Sequence, residues 1–142
     1  MAGFGTEELR GEIRDSTVQI HGKQEGLRAL YTRARVFVVP TRYTAGLPYK
    51  AHEAAAYGLP MVVSPLIARQ LGGTHEADYL AATADDQIAA NCVRLYPDSD
   101  VWERCRRSSL ARVERELGPA SFQQGLHTTL NVCTLNTVKV GI

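Results

Sequence analysis

Val36-Phe37-Val38-Val39-Pro40-Thr41-Arg42-Tyr43-Thr44-Ala45-Gly46-Leu47-Pro48-Tyr49-Lys50-Ala51-His52-Glu53-Ala54-Ala55-Ala56-Tyr57-Gly58-Leu59-Pro60-Met61-Val62-Val63 is the segment around which the rest of the chain arranges itself. Val36 to Val39 is a continuous apolar run, and Met61 to Val63 is another. Both are short, which favours central parallel strands, buried on both faces, over helix. Between them lies a Gly/Pro loop, followed by Tyr49 to Tyr57, a helix with Ala51, Ala54 and Ala55 on one side. Those side chains are small enough to let it sit close to a sheet. Strand, loop, helix, strand in a parallel sheet puts the loop at the carboxyl edge, where backbone N–H groups and a helix N-terminus can hold an anion.

Upstream, Ala2-Gly3-Phe4-Gly5 looks like the end of a strand entering a turn. Thr6 is placed to cap a short helix from Glu7 to Arg14, with Glu7 and Glu8 as favourable first-turn charges. Val18-Gln19-Ile20-His21 has the alternation of a strand, which Gly22 ends. Glu25 to Arg35 carries Leu27, Leu30, Tyr31 and Ala34 at helical spacing, a stripe expected to pack on the sheet. Downstream, Ser64-Pro65 opens a short helical segment, Leu66 to Leu71, which Gly72-Gly73 stops. Tyr79 to Ala82 is a last short strand. Asp85-Asp86 starts a helix reaching about Tyr96, with Ile88, Ala89, Cys92, Val93 and Leu95 inward. Pro97 to Asp100 is a turn and N-cap for a helix Val101 to Leu117, whose core candidates are Val101, Trp102, Cys105, Leu110 and Val113. Gly118-Pro119 ends it and restarts a final helix, Ala120 to Leu130. Residues 1–130 thus form one domain, and 131–142 are a C-terminal tail.

The pattern is α/β: a Rossmann-like parallel sheet with flanking helices and right-handed crossovers. About four strands are visible, few for a free-standing doubly wound domain, so the sheet is expected to be truncated at its N-terminal strands. At 142 residues the chain is one domain's worth, and such a domain buries roughly two-thirds of its unfolded surface. It is 44% hydrophobic and 22% charged, with 16 basic against 15 acidic residues and a net charge of +1. That scattered balance gives no case for a nucleic-acid partner. The densest basic run, Arg104 to Arg115, is interleaved with glutamates and reads as a solvated helix face, with peripheral contact to anionic lipid as the other option. Cys92, Cys105 and Cys133 are odd in number and lack metal-ligand spacing. This points to a reducing compartment and a cytoplasmic location. No apolar run is long enough to cross a bilayer, and the acidic N-terminus is not a signal peptide.

Gly46 stands where a phosphate could approach, and Pro48 near the first helical position pre-sets φ at no cost. The plain alternative is a tight strand-to-helix turn. Lys50 and Glu53 share a helix face one turn inside the loop. The lysine could neutralise phosphate charge and the glutamate accept from a sugar diol, or the two could form an exposed ion pair. His21 ends a strand at the same sheet edge. His21, His52, His75 and His127 have no metal spacing, the serines no nucleophile-elbow context, and no G-x-G-x-x-G or Walker-type run is present.

Taken together, Val18 to Leu71 resembles the C-terminal half of group-one retaining glycosyltransferases, a family with the two-domain GT-B architecture. The resemblance rests on Leu27-Arg28-Ala29-Leu30-Tyr31, on Ala34 to Pro40, on Gly46-Leu47-Pro48-Tyr49-Lys50-Ala51-His52-Glu53-Ala54 and on Gly58-Leu59-Pro60-Met61-Val62-Val63. It continues more loosely through Asp85 to Leu130. It implies a nucleotide-sugar donor site and retaining transfer of a hexose to a carbohydrate or lipid-linked acceptor, as in polysaccharide biosynthesis. In the family two glutamates with seven residues between them span this loop and helix. The second falls on Glu53 and holds the ribose hydroxyls, while the first falls on Ala45. Gly46 and Leu47 match the positions whose backbone amides face the diphosphate and sugar, with Pro48 beside them; Lys50 matches a phosphate-contacting lysine, and His21 and Gly22 the rim near the base. No cofactor or metal is implied, because the nucleotide-sugar is a substrate. The family's upstream basic pair and acceptor-binding domain are not in this sequence. The pair supports the leaving diphosphate electrostatically, so the chain alone is expected to be inactive. The alternative is a non-catalytic nucleotide-binding or oligomerisation module that completes its sheet as a homodimer.

Overall fold

The computed structural model describes residue 8, residues 11–43 and residues 46–139, with side chains as far as residue 131. Ala45, the Thr6 cap and the Ala2–Gly5 segment lie outside the described residues. The chain divides into two compact units, Met1–Arg33 and Ala34–Ile142.

Among the described residues of the first unit the one α-helix is α1, Arg28–Arg33, with Tyr31 as its buried residue. It is shorter at both ends than the expected Glu25 to Arg35, and Ala34 is exposed. The strand expected at Val18 to His21 does not form. Asp15 turns the chain instead: its carboxylate accepts from Thr17 N at 2.8 Å and from Thr17 Oγ1 at 2.6 Å, and Val18 N donates to Asp15 O. Short Asp and Thr side chains that bond the local backbone compete with strand formation in this way. Of the expected Glu7–Arg14 helix, residues 12–14 are turn and irregular, and most of the rest lies outside the described residues.

The second unit is built on three parallel strands, β1 (Phe37–Val39), β2 (Met61–Val63) and β3 (Leu80–Ala81), in that order across the sheet. Phe37 faces Met61 and Val39 faces Val63 in register, and Val62 pairs with Leu80. β2 is buried along its whole length, as its apolar sequence predicts. β1 is not: it is an edge strand among the described residues, and Val38 is 40% exposed. A continuous apolar run signals burial on both faces only when strands flank it on both sides, and here a neighbour stands on one side.

The helix α2, Tyr49–Ala56, buries Ala51, Ala54 and Ala55, and packs on β1, β2 and a later helix, α5 (Ser99–Leu117). α3, Pro65–Leu71, is capped by Ser64, whose Oγ accepts from Ile67 N, and it ends at Gly72 in the left-handed region. α4, Asp85–Leu95, lies against β2. Its N-terminal amides at Thr83 and Ala84 donate to Gln87 Oε1. Leu95 is buried, with Ile88 and Cys92 packed beside the core, but Ala89 and Val93 face solvent. α5, Ser99–Leu117, starts on an Asp98 cap that accepts from Asp100 N and Val101 N. Val62, Leu80, Leu95, Val101 and Cys105 form the core cluster. α6 runs from Pro119 through the expected end at Leu130 and on to Lys139. No helix among the described residues is long and apolar enough to cross a membrane.

Candidate functional site

Parallel pairing sets the carboxyl ends of all three strands at one edge, and the backbone there is stitched laterally. Ser64 N donates to Val39 O at 3.0 Å, and Ala82 N donates to Val63 O at 3.0 Å. The loop leaving β1 runs along this edge. Two side chains following β2 hold it: Ser64 Oγ donates to Thr41 O at 2.6 Å, and Gln70 Nε2 donates to Gly46 O at 3.2 Å. A third tie comes from the loop itself, where Arg42 Nη2 lies 2.8 and 3.0 Å from the two carboxylate oxygens of Asp85. Both of those side chains are exposed, so the pair fixes geometry more than it adds stability.

Pro48 occupies the N-cap of α2, one position before the expected first helical residue, with φ −77° and ψ 61°. Those angles are those of an inverse γ-turn, and Tyr49 N closes it on Leu47 O at 2.8 Å. Pro48 has no N–H to offer and that of Tyr49 is used inside the turn. The first helical turn therefore presents fewer amides than its sequence promises, which shifts the burden of holding an anion to the loop before it. Gly46 and Leu47 are exposed there, Leu47 to 86%. Lys50 is exposed and Glu53 half-buried, on one face of α2 by their spacing. Thus the second unit brings Gly46, Leu47, Pro48, Lys50 and Glu53 together on a single loop-and-helix corner. His21 is exposed and Gly22 buried in the first unit, where they are described with that unit.

A small cavity of about 20 Å³ lies elsewhere, lined by His52 and Ala55 of α2, Met61, Tyr79, and Arg112 and Glu116 of α5. At 100° per residue, His52 and Ala55 point away from the Lys50–Glu53 face. The cavity has room for about one water and is a packing void, not a ligand pocket. Burial, followed by the Arg112 charge, holds the His52 imidazole below its ordinary pKa.

Gln70 and Ser64 escaped the sequence reading. Ser64 is signalled only as a helix start, and Gln70 is an unremarkable polar residue in a short helix. A loop carbonyl as partner leaves no trace in a one-dimensional pattern. Arg42 and Asp85 were likewise visible only as separate charges.

A family model described as glycosyl transferases group 1 matches residues 1–98, from the start of the chain to the end of α4 and the turn after it. No curated protein matches the chain.

Proposed function

This chain belongs to the group 1 glycosyltransferases, and we propose that it supplies the donor-binding half of a retaining GT-B enzyme that moves a hexose from a nucleoside-diphosphate sugar to a carbohydrate or lipid-linked acceptor. The observation that carries this reading is the loop of residues 46–48, tied by Gln70 to α3 at the carboxyl edge of the sheet and leading straight into the helix with Lys50 and Glu53. Ligands of open α/β sheets sit outside the carboxyl ends of the strands. In this reading the backbone at Gly46 and Leu47 meets the diphosphate, with Pro48 closing the turn behind it. Lys50 adds a positive charge to the same anion, and Glu53 accepts hydrogen bonds from two adjacent ribose hydroxyls. No metal or cofactor enters, and transfer needs an acceptor-binding domain beside this one. Free thiols at Cys92 and Cys105 fit a reducing cytoplasm.

Isothermal titration of the full chain with UDP, GDP and ADP tests the site. Saturable binding of one of them, lost in Glu53→Ala and weakened in Lys50→Ala, is expected. Heat that is absent for all three, or unchanged by Glu53→Ala, would remove the assignment.

One observation favours a second reading. β1 is an edge strand among the described residues and its Val38 is exposed. Such an edge can pair with a second copy, making the chain a non-catalytic homodimeric module. Light scattering that gives a strict monomer with intact nucleotide binding would rule this out.

A further inference from the structure

The loop between β1 and α2 is held along one side by α3. Ser64, at the cap of that helix, reaches Thr41 O, and Gln70, in its last turn, reaches Gly46 O. The orientation of the Gln70 amide follows from its partner: a carbonyl oxygen only accepts, so Nε2 must face Gly46. Oε1 is left buried and, among the described residues, without a hydrogen-bond partner. An apolar side chain of the same length would pack here without burying that acceptor. What the amide adds is a donor aimed at one loop carbonyl.

The consequence lies on the other side of the same peptide group. The described backbone contains no cis peptide bond, and in a planar trans peptide the C=O and the following N–H point in opposite directions. Holding Gly46 O towards α3 therefore turns Leu47 N–H away from α3, in a residue almost wholly open to solvent. Since Pro48 has no N–H and that of Tyr49 is spent on Leu47 O, the orientation of the Leu47 amide matters more than that of any later one in the turn.

We propose that Gln70 is a positioning residue which, by latching Gly46 O, aims the Leu47 N–H at an oxygen of the donor's diphosphate. The proposal rests on the diphosphate reading of this loop given above. It assigns Gln70 no contact with the ligand. Its effect passes through one peptide plane, so removing the donor should free that plane to rotate and cost anion affinity without loosening the fold.

The test uses the full chain, labelled with 15N, as wild type, Gln70→Met and Gln70→Glu, with inorganic pyrophosphate as the probe because it carries the diphosphate without base or sugar. In the ligand-free protein both substitutions should shift and broaden the Leu47 amide resonance. Pyrophosphate should then bind about tenfold more weakly, the loss expected for one hydrogen bond to a charged group. The Gln70→Met melting temperature should match or exceed that of the wild type, because the orphaned acceptor goes together with the donor. An unmoved Leu47 amide in the ligand-free variants overturns the latch. So does a lowered melting temperature in both variants with pyrophosphate affinity kept, which would make Gln70 a structural brace and nothing more. A Leu47 amide that moves, in a chain whose wild type binds neither pyrophosphate nor UDP, GDP or ADP, overturns the diphosphate reading and the purpose assigned to Gln70, while the latch itself stands.

Discussion

Asp78 is a buried carboxylate whose two oxygens are both engaged. Oδ2 accepts from Thr74 N at 2.7 Å while Oδ1 accepts from Ser108 Oγ at 2.6 Å. Arg112 Nη1 stands 4.0 Å away, and Ser109 Oγ donates to the Asp78 carbonyl. Asp78→Ala would strand a backbone N–H and a hydroxyl at once and leave the largely buried Arg112 guanidinium to Glu116, which it already holds at 2.9 Å. Equilibrium urea unfolding should register a loss of about 2–4 kcal/mol; a loss below about 1 kcal/mol would mean that water replaces the carboxylate. The same guanidinium acts on His52, whose pKa is depressed by burial first and Arg112 second. A group depressed in the folded state is protonated more readily when the chain unfolds, so its contribution is present above the ordinary histidine value of about 6.5 and is lost as pH falls through and below it. Stability should therefore decline below about pH 6.5, by an amount tempered by the partial exposure of His52, and a His52→Gln chain should show a flatter profile over that range. Thermal melts in steps from pH 7.5 to 5 measure both. None of this cluster was legible in the sequence. Asp78 falls in no expected element, Arg112 belongs to a run that reads as a solvated helix face, and His52 has no metal spacing with the other histidines. Contacts between α2, α5 and the turn before β3 brought them together.

The crossover from α2 to β2 was the most legible element, and its turn shows why. Gly58 adopts φ +65°, and a Cβ there would stand 2.9 Å from Arg106 Nη1 and 3.0 Å from Leu110 Cδ1. The carbonyl of Gly58 accepts from Arg106 Nη1 at 3.1 Å, which ties the turn to α5. The left-handed backbone favours glycine, and a Cβ would also push the Arg106 side chain away from the turn, so Gly58→Ala should cost about 1–3 kcal/mol, read as a lower urea midpoint with an unchanged slope. A midpoint within error of the wild type would show that the turn can re-form without the left-handed residue. Local rules suffice for such an element: alanines at helical spacing mark the face of α2, and an apolar run between turns marks β2. They fail where the outcome depends on neighbours. β1 and β2 have similar apolar runs, yet one is an edge strand and the other is enclosed, because position in the sheet is not written in either strand. Val18 to His21 has strand alternation, but the Asp15 turn takes the preceding backbone elsewhere. α6 outruns its expected end since nothing between Leu130 and Lys139 is a glycine or proline. The candidate site divides in the same way. Gly46, Lys50 and Glu53 stand out because they are adjacent in sequence, whereas Gln70 is contributed by another element.

At the scale of the molecule, the division after Arg33 carries a physical expectation. All three strands, the helices from α2 to α6 and every residue of the core cluster belong to residues 34–142. Among its described residues the first unit has one α-helix, six residues long and too short to persist by itself in water. Cooperativity follows buried apolar contacts, so the global transition should belong to the second unit, while amides in the first exchange at lower free-energy cost. A chain cut to residues 34–142 should therefore keep its helical circular dichroism and melt in a single transition close to that of the whole chain. Native-state hydrogen exchange on the intact chain should show the slowest amides in β2, with Val62 among them, and fast exchange through residues 11–24. A shortened chain that melts without a transition, or slow amides spread evenly across residues 11–33, would mean that the core needs the first unit to form. The cut also bears on the site. Gly46, Leu47, Lys50 and Glu53 and the Gln70 latch all lie within residues 34–142, so a folded fragment should bind pyrophosphate as the whole chain does.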